Sequence, residues 1–139
     1  MRVLFDTNVV LDVLRARAPH AAAATTLFDH VARKDLDGLL SATTLTTIFY
    51  LAAKASTPAK ARRHVRTLMA LFDVAAVTRS VLADALEIGF KDYEDAVLHE
   101  AARQAGATAI VTRNPSDYSL GKLKIYGPTE LLRLIRAVE

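Results

Sequence analysis

The stretch KDYEDAV, residues 91–97, places Asp92, Glu94 and Asp95 within four positions and runs at once into the apolar Ala96, Val97 and Leu98. Two like charges about 5 Å apart, at an effective dielectric of about 20, repel by roughly 3 kcal/mol. That corresponds to about two pKa units. Water, a helix N-terminus or a cation between the carboxylates can each relieve such a cluster. Another acid, Asp6, closes the short apolar run Val3-Leu4-Phe5, and Thr112-Arg113-Asn114 follows a similar run, with Asp117 just beyond. Brought together, these groups form an oxygen-only donor set, which suits Mg²⁺ or Mn²⁺ rather than zinc. Such a site lowers the pKa of a bound water and holds phosphate oxygens for in-line attack.

Whether the groups meet depends on the elements that carry them. Val3–Phe5 reads as a buried strand, and Asp6-Thr7-Asn8 as the cap of a helix that carries Val9, Val10, Val13 and Leu14. Arg15 to Pro19 break that helix, and a second is expected from Ala21 to Lys34. A strand at 38–41 and a helix at 43–55 come next. Thr57-Pro58 starts a helix with Val65, Leu68, Met69 and Phe72 expected inside and Arg62, Arg63 and Arg66 outside. A strand at 74–77, a short helix at 80–88 and a helix at 92–105 stopped by Gly106 follow. Strands at 108–112 and 123–126 and a helix at 128–137 complete the chain. Apolar strands alternating with helices predict one α/β domain over residues 1–139, with a central, mostly parallel sheet covered by helices on both faces.

Ligands of such sheets bind beyond the carboxyl ends of the strands. Asp6 and Thr112-Arg113-Asn114 fall on that edge. The helix at 92–105 turns into the next strand through a very short connection, so it must run antiparallel to it and start at the same edge. Asp6, the Asp92/Glu94/Asp95 cluster and Asn114 are therefore expected to converge, with Asp117 in reach. Asp92 and Asp95 can share a face of the first turn, whereas Glu94 points about 100° away from Asp95. Each piece also has a plainer reading. Asp92 and Asp6 can serve as helix caps, Asp95 can favour the helix dipole, and Thr112 to Asn114 can form a turn.

Composition narrows the field. The chain has no cysteine, which excludes disulfides and thiolate metal sites. No apolar stretch approaches the ~18 residues of a membrane span, so the expected setting is cytoplasmic. Net charge is only +3, but no acid occurs between Gly38 and Phe72, where Lys54, Lys60, Arg62, Arg63 and Arg66 lie. That stretch could attract a polyanion toward the acids that follow, or simply form a solvated helix face. A haloacid-dehalogenase-like phosphatase needs an acid where Asn8 stands, and a receiver domain needs one near Val77-Thr78-Arg79. Five scattered glycines draw no phosphate-binding loop. The four histidines have no metal-ligand spacing; His99, one turn past Asp95, is expected to be packed or solvated, or to tune that acid.

The stretches VLFDTNVVLDVL, SATTLTTIFYLAAK, KDYEDAVLHEAARQAGATAIVTRNPSDY and YGPTELL, in this order, cover nearly the whole chain. In them the chain resembles PIN-domain ribonucleases, in particular the branch related to VapC-type toxins of bacterial toxin–antitoxin pairs. The resemblance implies a three-layer fold and a metal-dependent endonuclease acting on RNA, usually a homodimer restrained by an antitoxin. By position, Asp6 and Asp95 match metal-binding acids, and Asn114 stands where many relatives carry a further Asp. Asp117 trails that motif, and Asp92 and Glu94 belong to the D-x-E-D form of the branch. Thr47 occupies the place of a Glu found in many relatives, so Asp92 or Glu94 takes over that role, the metal is held more weakly, or catalysis is lost. Two functions follow as expectations: an endoribonuclease using Asp6, Asp92, Asp95, Asn114 and Asp117, with Arg62, Arg63 and Arg66 guiding RNA, or a silent module that binds RNA or a protein.

Overall fold

The computed structural model describes residues 1–138. Its elements are β1 (Arg2–Phe5), α1 (Thr7–Leu14), α2 (Ala21–Ala32), β2 (Asp37–Ser41), α3 (Ala42–Ala55), α4 (Pro58–Leu71), β3 (Asp73–Ala75), α5 (Arg79–Glu87), α6 (Tyr93–Gln104), β4 (Ala109–Val111), a single 3-10 turn (Pro115–Tyr118), β5 (Lys124–Tyr126) and α7 (Pro128–Val138). The strands form one sheet in the order β3-β2-β1-β4-β5. Each pairing is parallel, so the sheet is parallel throughout rather than mostly so.

Strand alternation divides the core in two. Val3, Phe5, Leu40, Ala109 and Val111 meet the helical residues Val9, Leu27, Ile48, Leu68 and Leu131 on one face. Leu4, Leu39, Ala75 and Ile110 meet Val81, Ala85, Val97, Leu98 and Ala101 of α5 and α6 on the other. Both faces are covered, which explains why the strands read as apolar runs. The chain builds outward from β1 to β3, then crosses back to place β4 on the other flank of β1. The crevice of such a sheet opens at this reversal, between the carboxyl ends of β1 and β4.

Three expectations are corrected. The strand expected at 74–77 is Asp73–Ala75; it lies at the edge of the sheet, and its Val74 is exposed. In α4, Met69 is exposed and Ala61 is buried in its stead. The inner stripe runs through Ala61, Leu68 and Phe72, and Met69 falls one residue beyond it. Asp92 precedes α6 as its cap, accepting the Asp95 amide at 3.0 Å, and does not form part of the helix.

Phe5, Phe28 and Phe72 pack edge to face, with ring centroids 5.0–5.8 Å apart. Gly38 of β2 lies against this trio. A Cβ there would stand 2.7 Å from Phe72 Cδ1 and 3.0 Å from Val31 Cγ1. Overpacking of this kind costs about 1–3 kcal/mol, more than the ~0.4–1 kcal/mol that Ala gains through the unfolded chain. Gly38→Ala is therefore expected to lower the urea midpoint without changing the slope of the transition.

Candidate active site

Asp6 leaves β1 with extended backbone angles and occupies the N-cap position of α1, but its side chain makes no capping bond. Instead it accepts hydrogen bonds from Thr112 Oγ1 at 2.8 Å and from the Tyr118 hydroxyl at 3.1 Å. Register brings Thr112 there: Phe5 pairs with Val111, and the Asp6 amide donates to the Val111 carbonyl at 2.9 Å. Asn8 ties the two connections together, donating to Thr112 Oγ1 at 3.4 Å and accepting the Arg113 amide at 3.3 Å. Nearby, Thr7 and Thr44 join their hydroxyls at 2.9 Å.

Asp95 rises on the first turn of α6. The Tyr118 hydroxyl, 3.3 Å from Asp95 Oδ1, lies between this acid and Asp6. Burial is the largest influence on both carboxyls and raises their pKa values. The bonds from Thr112 and Tyr118 pull Asp6 the other way without cancelling that rise. Asp95 is pushed up to about 7 by burial and then by the charges of Asp6, Asp92 and Asp117. Burial and the two acids also push the Tyr118 phenol upward, so it remains a donor. The charges that raise these acids come from other carboxylates: Asp117 for Asp6, and Asp6, Asp92 and Asp117 for Asp95.

The sequence-predicted residues thus separate into groups. Asp6 and Asp95 are joined through Tyr118. Asp92 and Asp117 line a cleft of about 320 Å³ with Asp95, Phe90, Lys91 and Ser116. Asn114 is exposed, and only its backbone is engaged, donating to Thr112 Oγ1 at 3.1 Å. Glu94 is exposed and is not among the charges that shift Asp95. Thr47 is half-buried, and the threonine of α3 bonded near Asp6 is Thr44. Arg62, Arg63 and Arg66 are exposed, and among the described residues none of them forms an ion pair. Phe72 alone separates α4 from β3, so α4 runs against the strands and its first turns lie toward the carboxyl edge.

Sequence reasoning gave no role to Tyr118, Asn8 or the buried Asp12, although Tyr118 ends the T-R-N-x-x-D-Y stretch. Asp12 is 1 % exposed and contacts Arg17 Nη2 at 3.0 Å and Arg113 Nε at 2.7 Å. An acid in the middle of an apolar helix run was a signal, because a buried charge needs a partner.

Asp6, Asp95 and the neighbouring acids are oxygen donors of the kind a hard divalent cation takes, and their mutual repulsion is what a cation would relieve. Among the described residues, no group of three or more His, Cys, Asp or Glu is placed to hold a metal ion. Waters and substrate oxygens must therefore complete any coordination shell, as is common for Mg²⁺.

Unfolded, Asp95 ionises near 3.8, whereas folded it does so at about 7. Between these values the folded chain keeps a proton that the unfolded chain has lost. The stability linked to that proton is full below 3.8 and is lost as pH rises through about 7. Thermal melts of the metal-free chain should show this loss across that window, and Asp95→Asn should remove it.

The comparisons with known proteins agree with this fold. A model of the PIN domain matches residues 2–116. The structure of VapBC2 from Rickettsia felis bound to a promoter DNA fragment aligns with a TM-score of 0.72 at 13% identity, covering 91% of this chain and 98% of that one. A toxin–antitoxin complex from Klebsiella pneumoniae aligns at 0.69 and 19% identity, covering 91% and 97%. VapC20 from Mycobacterium tuberculosis, described as a sarcin–ricin-loop-cleaving toxin, aligns at 0.62 and 16% identity, covering 78% and 86%. Curated protein sequences yield no match. With the model spanning β1 to the 3-10 turn and the sheet superposing on these relatives, the chain belongs to the PIN domain family.

Proposed function

We propose that this chain is a Mg²⁺- or Mn²⁺-dependent endoribonuclease, the toxin of a bacterial toxin–antitoxin pair acting in the cytoplasm. The observation that carries the reading is the pair Asp6 and Asp95, joined through Tyr118 at the reversal point of a PIN-domain sheet. In this reading Asp6, Asp95 and Asp92 hold the metal, and Asn114 and Asp117 support it directly or through water. A cation there supplies an activated water and a countercharge for the phosphodiester.

The protein's own part is placement. Thr112 fixes Asp6 Oδ2, and Asn8 holds Thr112 against the β4 connection. Tyr118 has a single hydroxyl proton, so it donates to one carboxylate at a time and keeps the two acids close without neutralising both. Arg62, Arg63 and Arg66 on α4 draw the RNA backbone toward the carboxyl edge.

The sarcin–ricin-loop-cleaving toxin among the relatives supports RNA as substrate, and the Klebsiella pneumoniae complex supports an antitoxin as partner. A homodimer, usual among PIN-domain toxins, belongs to the same reading, and light scattering of the purified chain tests it.

One observation favours a second reading, in which the chain binds RNA or a protein without cutting. Among the described residues, no trio of acids or histidines is placed to hold a metal, and the family resemblance puts Thr47 where a Glu is expected. Incubating mixed single-stranded RNA with the purified chain and Mn²⁺, Mg²⁺ or EDTA decides between them. Metal-dependent cutting that falls to background in Asp6→Asn and Asp95→Asn establishes the nuclease. Intact RNA with every metal, from a folded chain that still binds it, moves the binding role ahead. Replacing Arg62, Arg63 and Arg66 by Ala should weaken RNA binding and flatten its salt dependence, by about 0.7 in log–log slope for each phosphate no longer neutralised.

A further inference from the structure

Along α6 from the acid pair lies a chain of polar groups, buried at His99 and Glu100, that the proposed reaction does not use. His99, on α6 one turn past Asp95, is 1 % exposed. Its Nε2 accepts two backbone amides, Lys122 at 3.0 Å and Leu123 at 3.3 Å. A nitrogen that accepts twice carries no proton, so the imidazole is neutral and its proton sits on Nδ1. That nitrogen donates to Glu100 Oε2 at 2.8 Å. Burial alone would raise the Glu100 pKa, but Arg103 and His99 outweigh it and hold the carboxylate below its ordinary range. Arg103 reaches on to Asp84 of α5 at 3.3 Å.

The same loop fixes Tyr118. The Gly121 amide donates to the Tyr118 carbonyl at 2.9 Å. Gly121 also lies so close to the imidazole that a Cβ would stand 2.5 Å from Nε2. Phe90 packs against both rings, with centroids 5.5 Å from His99 and 5.8 Å from Tyr118. A path of direct contacts therefore runs from α5 through Arg103, Glu100 and His99 to residues 121–123, and from Gly121 to the hydroxyl between Asp6 and Asp95.

We propose that His99 is a positioning residue for the acid pair: its unprotonated Nε2 clamps the Lys122 and Leu123 amides and thereby sets the Tyr118 hydroxyl between Asp6 and Asp95. This rests on the nuclease reading for its effect on turnover, but not for the clamp itself. A surface or merely packed histidine would need neither the tautomer nor the glycine.

The test begins with the metal-free wild type, its histidines labelled with ¹⁵N. Near neutral pH the His99 Nε2 should give the signal of an unprotonated ring nitrogen, with the Lys122 and Leu123 amides protected from exchange. In His99→Ala those amides should lose protection and the Tyr118 ring signals should move, while those of Phe5, Phe28 and Phe72 stay. Turnover of RNA should fall roughly 10- to 100-fold, with KM changed by no more than about twofold. His99→Gln, whose side-chain carbonyl reaches the Nε2 position, should restore part of the protection and part of the turnover. It also carries the comparison if His99→Ala does not fold. A proton on Nε2 in the wild type, unmoved Tyr118 signals, or full turnover in a folded His99→Ala chain would each overturn the proposal. The ring and amide signals are read without metal or RNA, so they decide the clamp even if the wild type leaves RNA intact.

Discussion

Everything around the candidate site answers to one electrostatic constraint: two carboxylates at the end of a buried sheet are held near each other, joined through the one hydroxyl of Tyr118. Burial and mutual repulsion both oppose ionisation of Asp6 and Asp95, and the hydroxyls of Thr112 and Tyr118 return only part of that cost. A fold retains an arrangement that destabilises it when the arrangement performs a task. In the proposed nuclease, that repulsion is what a divalent cation would relieve.

The fold supplies the geometry for this at little local cost. Asp6 follows β1, Thr112 follows β4, and the two strands are neighbours because the chain reverses direction across the sheet between them. Asp95 arrives on the first turn of α6, where the helix dipole lowers the penalty for its charge. Asp92 caps that helix, so it serves the α6 backbone while adding its charge to the cluster. One side chain therefore both caps α6 and adds to the charge that raises Asp95. Asp6 stands at the N-cap of α1, but its side chain makes no capping bond and is held instead by Thr112 and Tyr118.

This distinction also marks how far the sequence could be read. Hydrophobic runs and caps located most elements, since apolar strands between helices have few other solutions than a parallel sheet covered on both sides. The convergence of Asp6 and Asp95 followed from chain direction alone. Of the partners that hold them, Thr112 was already placed at that edge, but Tyr118 was hidden, because it reaches the acids through the path of a short 3-10 turn, which no periodicity encodes. His99 was hidden for a similar reason: its partners are backbone amides of a loop, and backbone groups leave no mark on residue type. Met69 misled because helical spacing tolerates an error of one position at the rim of the buried stripe.

The connection that carries Thr112 is anchored by a second buried acid. Arg113 directly follows Thr112, and its Nε contacts Asp12 Oδ2 of α1 at 2.7 Å, while Arg17 contacts the other oxygen of the same carboxylate at 3.0 Å. A buried carboxylate is costly without such partners. Asp12 meets that need with one arginine just past its own helix and one just past β4. The same contact that balances its charge therefore ties the segment after β4 to the helix that Asp6 begins.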